Sequence, residues 1–486
     1  MRVEAGAGPN ARGAGAVLEA VGVGCLSPGA RMWRRVRRMA LRATVTAPLA
    51  IGALALWTLW LDREPRFDAR PASLPSPNAF QSFQRAAQGV ARDGEIDALA
   101  AMLPNVGWTD WRQWDTLLPR GSSPGLRVPT SRALPDVNRA GKVVAAHAEA
   151  LRTLRGGFAH RYWEPMTAGV YENLAHLDGY RKLARLLALE GYVRDRRGRR
   201  DDALQSCLDA IRLGVMCQNG SPRLGRLVGL SCEAVGRAGL WSLANSLNAD
   251  QARRVAIELQ GIASAKPPIA DMFDTDLTVG GRIIVSATDS PTWRFRGWGV
   301  FLDEPARRPG WLAAANYLST LPGSRSGLLK RYERFVLAVR ASAAQGYPKW
   351  RSEQQAGMFD FFGRLFLDDY SRVTLINDID TAENELLAAH LASRAYRLRH
   401  GRYADSLSAL MSKGYVRRTP WDPFSGKPLR YLLVLGRPVI YSVGPDARDN
   451  AGVPITEELV PSEDGGLTRI TERSRGDIVA TRNLGW

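Results

Sequence analysis

The chain has 486 residues, 45% of them hydrophobic, enough for two or three domains with their own cores, which excludes a disordered or fibrous protein. Its formal charge of +18 at pH 7 invites a nucleic-acid partner, but the cations are mostly arginine and are spread along the whole length. A solvated basic surface that meets anionic lipid or an acidic partner is the better reading, and no nucleic acid is expected.

Residues 1–42 read as a basic tail. Met1–Ala30 is rich in Gly and Ala and has no period, so it is expected to be disordered or to precede a true start at Met32 or Met39. Ala43–Leu61 contains no charge and, at about 1.5 Å rise per residue, is just long enough to cross a bilayer as a helix. Arg34, Arg35, Arg37, Arg38 and Arg42 crowd its N-terminal side, and cationic flanks stay on the cytoplasmic face, which would put everything after Leu61 outside. The rival is a signal peptide cut at Ala53-Leu54-Ala55, but the apolar run continues past that point. The expected fold class is therefore mostly α, with a single transmembrane helix at 43–61 in a cytoplasmic (inner) membrane. A Pro-rich spacer follows at 62–78, then a helical domain over 79–375 and a small α+β module over 376–486.

Within the helical domain, Trp108, Trp111 and Trp114 recur every three residues and read as a packed stripe rather than a sugar platform. About 140–265 is the most helical stretch. Leu183, Leu187 and Gly191, then Ala203, Cys207, Ala210 and Ile211, lie on two amphipathic runs separated by Arg196-Arg197-Gly198-Arg199, the layout of a helical hairpin. Gly191, Ala203 and Ala210, then Gly225 and Ala244 about 34 residues on, resemble the small-residue positions of tetratricopeptide repeats, whose stacked hairpins offer a concave partner surface. Cys207, Cys217 and Cys232 have no CxxC spacing and read as buried thiols, with a Cys207–Cys232 bridge as the alternative. Residues 266–379 are broken by Pro267-Pro268, Leu302–Gly310 and Leu321–Ser326, with helices expected at Gly327–Ala344 and Ala356–Asp368.

Near the C-terminus, Asp380 with Glu383 reads as a helix cap, Leu387, Leu391, Ala395 and Leu398 line one face, and Gly401 ends the helix. A short helix at Ser406–Met411 and strands at Leu429–Val434 and Pro438–Val443 complete a helix packed on a small antiparallel sheet. Tyr403 after Gly401-Arg402, Asp422-Pro423-Phe424-Ser425-Gly426-Lys427-Pro428-Leu429-Arg430-Tyr431, Tyr441-Ser442-Val443-Gly444-Pro445-Asp446 and Gly476-Asp477-Ile478 follow one another in order. This series resembles the soluble domain of the major pseudopilins of type II secretion. The resemblance implies a calcium site between the last two motifs, with Asp446 and Asp477 carried over as ligands; Asp449 is taken as the third, and Asn450, Glu463 and Asp464 of the same loop could add oxygens, the alternative being a solvated acidic loop. Ala447 replaces the family's glycine, and the processed N-terminal signature of pseudopilins is absent around Ala43, so assembly into a pilus is not implied.

His147, His160, His176, His390 and His400 show no metal-ligand spacing, and no nucleophile elbow, Walker loop or dinucleotide fingerprint occurs. Glu383 with Glu385, and Asp368 with Asp369, read as solvated charges rather than an acid and base. No catalytic residue is assigned. The expected function is that of a non-enzymatic scaffold or docking protein of the cell envelope, tied to secretion or pilus-type assembly, with the lipid bilayer and other proteins as partners. The alternative is an envelope hydrolase acting on glycans, its site in 266–379 and lined by Trp293, Trp298 and Trp311.

Overall fold

The computed structural model describes residues 73–103, 134–165, 175–289, 325–348, 350–351, 361–455 and 470–480, with only the backbone of 175, 287 and 361–369. Before these it describes Met32, Arg37, Thr46, Leu49, Gly52, Ala53 and Leu56. Contacts divide the chain into two compact units, Met1–Arg63 and Glu64–Trp486. In the first unit the described positions are helical and exposed.

The transmembrane expectation needs correction. Among the described residues no helix is long and apolar enough to cross a membrane. Helices of sufficient length exist, but their charges forbid it: the longest, Phe361–His400, carries Asp378, Asp380, Glu383, Glu385, Arg394, Arg397 and Arg399. Within 43–61 only Thr46, Leu49, Gly52, Ala53 and Leu56 are described, and of the flanking arginines only Arg37; the others lie outside the described residues. The single-pass topology, and the inner-membrane location inferred from it, are therefore withdrawn. What stands is a mostly helical chain with small sheets.

The second unit opens with α1 (Ala79–Val90), whose Asn78 cap accepts from the Phe80 amide, and α2 (Gly94–Ala100), capped by Asp93. Next come α3 (Val137–Ala146), α4 (Ala148–Gly157), α5 (Ala175–Arg196), α6 (Arg200–Cys217) and α7 (Arg223–Leu243). Further on are α8 (Ala249–Ser264), α9 (Ile269–Ala287), α10 (Arg325–Ala343), α11 (Phe361–His400) and α12 (Leu407–Ser412). α5 and α6 form the expected hairpin, with Gly198 at φ +75° in its turn. The hairpin of α6 on α7 is tighter still: a Cβ on Gly229 would stand 2.6 Å from the Gly214 carbonyl, and one on Gly214 2.4 Å from the Gly229 carbonyl. Only glycine allows the two backbones this close.

One apolar core gathers α1–α5 against one side of α6 and α7. A second runs from Ala203 in α6 through Val255, Phe273, Val336 and Leu387 to Ile440 and Ile478 in the C-terminal sheet. α11 is the axis of this second core, packed on α7, α8, α10 and the sheet. It does not start at a cap on Asp380, as expected; it runs unbroken through that residue and ends where expected, at Gly401 with φ +73°. Asp380 sits mid-helix because buried cations on other elements hold it there.

β1 (Trp421–Asp422) and β2 (Lys427–Pro428) form a two-stranded pair. β3 (Arg430–Val434), β4 (Arg437–Ser442) and β5 (Ile478–Val479) form an antiparallel sheet in that order, with Tyr431 opposite Ile440 and Ser442 opposite Ile478. Ser406 caps α12 by accepting from the Ala409 amide.

Candidate functional site

The C-terminal motifs converge on one end of the sheet. Asp422 is fully buried, and its carboxylate takes four donors: the Phe424 amide at 3.1 Å, Ser425 Oγ at 2.7 Å, Ser442 Oγ at 2.6 Å and the Val443 amide at 3.3 Å. This latches the turn after β1 to the end of β4. Tyr347 and Arg351 then donate to the Pro445 carbonyl, fixing the start of the aspartate loop to the helical region.

Of the three expected calcium ligands, Asp446 and Asp477 both accept from Asn450, Asp449 is committed to Tyr441 and Arg430, and Asp449 and Asp446 both lie near enough to repel Asp477. Asp477 is fully buried and accepts from the Gly452 amide at 2.7 Å and the Asn450 amide at 3.3 Å. Burial pushes its carboxyl up to about 6, and repulsion from Asp449 and Asp446 adds to this. Asp446 accepts from the Arg448 amide at 3.0 Å and from Asn450 Nδ2 at 3.3 Å. Asp449 instead accepts from Tyr441 Oη at 2.9 Å and pairs with Arg430 Nε at 3.0 Å. Glu463 and Asp464 lie outside the described residues. Calcium takes six to eight oxygens, and among the described residues no group of three acidic, histidine or cysteine side chains is placed to hold a metal. The described donors alone do not make a calcium shell.

A second charged cluster was not read from the sequence at all. Glu233 in α7 is fully buried and receives Gln218 Nε2 at 2.6 Å, Asn384 Nδ2 at 2.9 Å and Lys266 Nζ at 3.2 Å. Lys266 also reaches Asp380 at 2.5 Å, and Arg237 joins Asp380 at 2.5 Å to Glu383 at 2.9 Å. Beside it, Arg226 donates to Asn377 Oδ1 at 2.7 Å; burial lowers its guanidinium to about 10 and raises the Asp378 carboxyl to about 7. Glu383 and Glu385 are thus buried and bonded, not solvated as expected: Glu385 accepts from the Trp421 amide and pairs with Arg418. With partners drawn from α7, α11, Lys266 and Gln218 at the end of α6, the cluster ties α11 to the helical array.

Two of the histidines, His390 and His176, are packed inside the fold. Burial pushes His390 down to about 4, and its ring lies 5.2 Å from that of Trp241, so it is a neutral core residue. His176 faces Glu164 at 3.2 Å, and Glu164 also holds the Ser221 hydroxyl. The carboxylate therefore stands between hydroxyl and imidazole, the wrong order for an activated nucleophile. Cys207, Cys217 and Cys232 are free buried thiols, and burial raises Cys207 to about 12, which makes it inert.

A cavity of 190 Å³ opens on the hairpin layer. Its walls are Ala188, Gly191 and Tyr192 of α5 and Val235, Ala238 and Gly239 of α7, with Cys207 of α6 at the floor and the exposed Ser242 at the mouth. A Cβ on Gly239 would meet Cys207 Sγ at 2.5 Å, so the small residues there keep floor and wall in contact. Asp195 and the exposed Arg196 stand at its rim, while Arg185, buried and paired with Asp97 at 2.6 Å, lines it from inside. The hairpin pattern pointed to this layer through Gly191, but nothing local marked Gly239 or Ser242. Trp108, Trp111, Trp114, Trp293, Trp298 and Trp311 lie outside the described residues.

No family model, no curated protein and no solved structure matches the chain. The resemblance to pseudopilins and to tetratricopeptide repeats therefore rests on the quoted sequence residues alone.

Proposed function

We propose that the chain is a non-enzymatic scaffold or docking protein, in which a helical array holds a pseudopilin-like C-terminal module in fixed register and receives a protein partner in the cavity between α5, α6 and α7. The observation that carries this reading is the cavity itself: an apolar recess with a charged rim, open to the surface, suits an apolar anchor side chain of a partner. The buried charge cluster supports it, because ion pairs that lock α11 to α7 hold a surface in shape without taking part in chemistry. Following the resemblance, the partner class is a component of secretion or pilus-type assembly. Calcium enters the proposal only at Asp446 and Asp477, as a rigidifier of the loop between β4 and β5.

The test compares capture of partners by wild-type protein and by Ser242→Trp, which plugs the mouth from an exposed position. The variant is expected to lose the partners that the wild type retains while melting at the same temperature. Equal capture by both proteins would contradict the reading.

A further inference from the structure

An open groove of 580 Å³ runs along one face of α8, lined by Asp250, Arg253, Arg254, Ile257 and Glu258 together with Arg417 from the segment after α12. Gln260 ties that segment to the helix: its Oε1 accepts from the Arg417 amide at 2.8 Å, and its Nε2 donates to the Arg418 carbonyl at 3.1 Å. Two arginines cross the same seam in opposite directions. Arg253 of α8 gives its Nε to the Gly414 carbonyl at 2.9 Å and lies 5.8 Å over the Tyr415 ring, while Arg417 gives its Nε to the Ile257 carbonyl at 3.0 Å. Each guanidinium is thus held by one nitrogen, and its terminal Nη groups have no hydrogen-bond partner among the described residues.

Charge points to the ligand. Both acids of the groove are already answered from outside it, Asp250 by Arg399 and Glu258 by Arg212, each at 3.0 Å. Arg254 is taken in turn by Asp201. Arg253 and Arg417 have no carboxylate partner among the described residues, so the groove keeps two uncompensated positive charges. Ile257 is the one apolar side chain of the lining, too little to hold a greasy ligand. Two guanidinium forks fixed before anything binds suit an anion with two charges and at least three acceptor oxygens. A carboxylate fills one fork, whereas a phosphate monoester can fill both.

We propose that this groove binds a phosphate monoester, whose phosphoryl oxygens accept from the Nη groups of Arg253 and Arg417. Small soluble esters and the headgroup of phosphatidic acid carry the same group, and the experiment separates these two sources. The groove shares no lining residue with the cavity on α5, α6 and α7, so the site is independent of the docking reading.

Glycerol phosphate is titrated into the full chain by calorimetry at low salt, beside acetate and dimethyl phosphate, which each carry a single charge. Sedimentation with vesicles that contain phosphatidic acid is measured in parallel. Binding of the phosphate monoester is expected to saturate, to be about tenfold tighter than that of either monoanion, and to weaken in high salt. Arg417→Met and Arg253→Met are each expected to weaken it about tenfold. Glu258→Gln removes a carboxylate from the groove and is expected to tighten binding about threefold, a gain that no folding defect can produce. Binding of glycerol phosphate assigns a soluble ester; sedimentation with the vesicles without it, lost in Arg417→Met, assigns the headgroup. Equal affinity for glycerol phosphate and acetate, binding of neither phosphate probe, or binding untouched by all three variants would overturn the proposal. So would a preference for a single-stranded DNA oligonucleotide over the monoester at matched phosphate concentration.

Discussion

Arg237 shows how a single side chain sets the balance of the buried cluster. Its guanidinium lies between Asp380 and Glu383, and Lys266 shares Asp380, so removing it strands carboxylates away from water. Arg237→Met is expected to destabilise the fold by about 3–5 kcal/mol, read from urea unfolding; a loss below about 1 kcal/mol would show that water reaches the cluster. Asp378 bears on pH. Burial raises its carboxyl to about 7, so between its ordinary value near 4 and about 7 the folded state holds a proton that the unfolded state has lost. Its contribution therefore weakens stability as pH rises through that window. Asp378→Asn should flatten the fall in melting temperature from pH 5 to pH 8; an unchanged slope would assign the pH dependence elsewhere, with Asp477 next in line at about 6. The misreading of Asp380 has the same source as the cluster. Asp380 and Glu383 resemble a cap locally, but their true partner, Arg237, is 143 residues away from Asp380 in sequence, beyond any local pattern.

Among the elements, what was legible followed local chemistry. Gly198 and Gly401 mark helix ends by their positive φ, Ser406 caps its short helix, and the two apolar runs at Leu429–Val434 and Pro438–Val443 form the β3–β4 hairpin. Close packing was legible only in part. The repeat-like pattern selected Gly191, Ala203 and Ala210, yet the closest approach of backbones falls at Gly214 and Gly229, where no period points. Glycine to alanine inside a helix ordinarily helps by about 0.5–1 kcal/mol; at Gly229 the Gly214 carbonyl at 2.6 Å reverses the sign. Gly229→Ala is expected to cost about 1–3 kcal/mol in thermal or urea unfolding, and a neutral result would mean that α6 and α7 part easily. The uncharged run 43–61 misled for the opposite reason: absence of charge was read as a span, whereas among the described residues no helix meets both length and apolarity.

In the whole molecule, one core continues from α6 to β5, so the helical array and the C-terminal sheet are expected to unfold together. A single calorimetric transition for the full chain checks this, and two separated transitions would contradict it. Calcium is tested on the same instrument. Because Asp449 and Asp446 both repel Asp477, an added divalent cation would relieve the repulsion that helps hold Asp477 near 6, raising the melting temperature in wild type and leaving Asp446→Ala unmoved. Equal melting in calcium and in chelator would remove the ion from the account. The central claim is that the cavity between α5, α6 and α7 receives a protein partner. Its most direct test is a photo-crosslinking residue placed at Ser242, compared with one at the remote, exposed Glu149, in cells that make the protein. A defined crosslinked partner from Ser242 and none from Glu149 is the expected result; the same adducts from both sites, or none from Ser242, would contradict it.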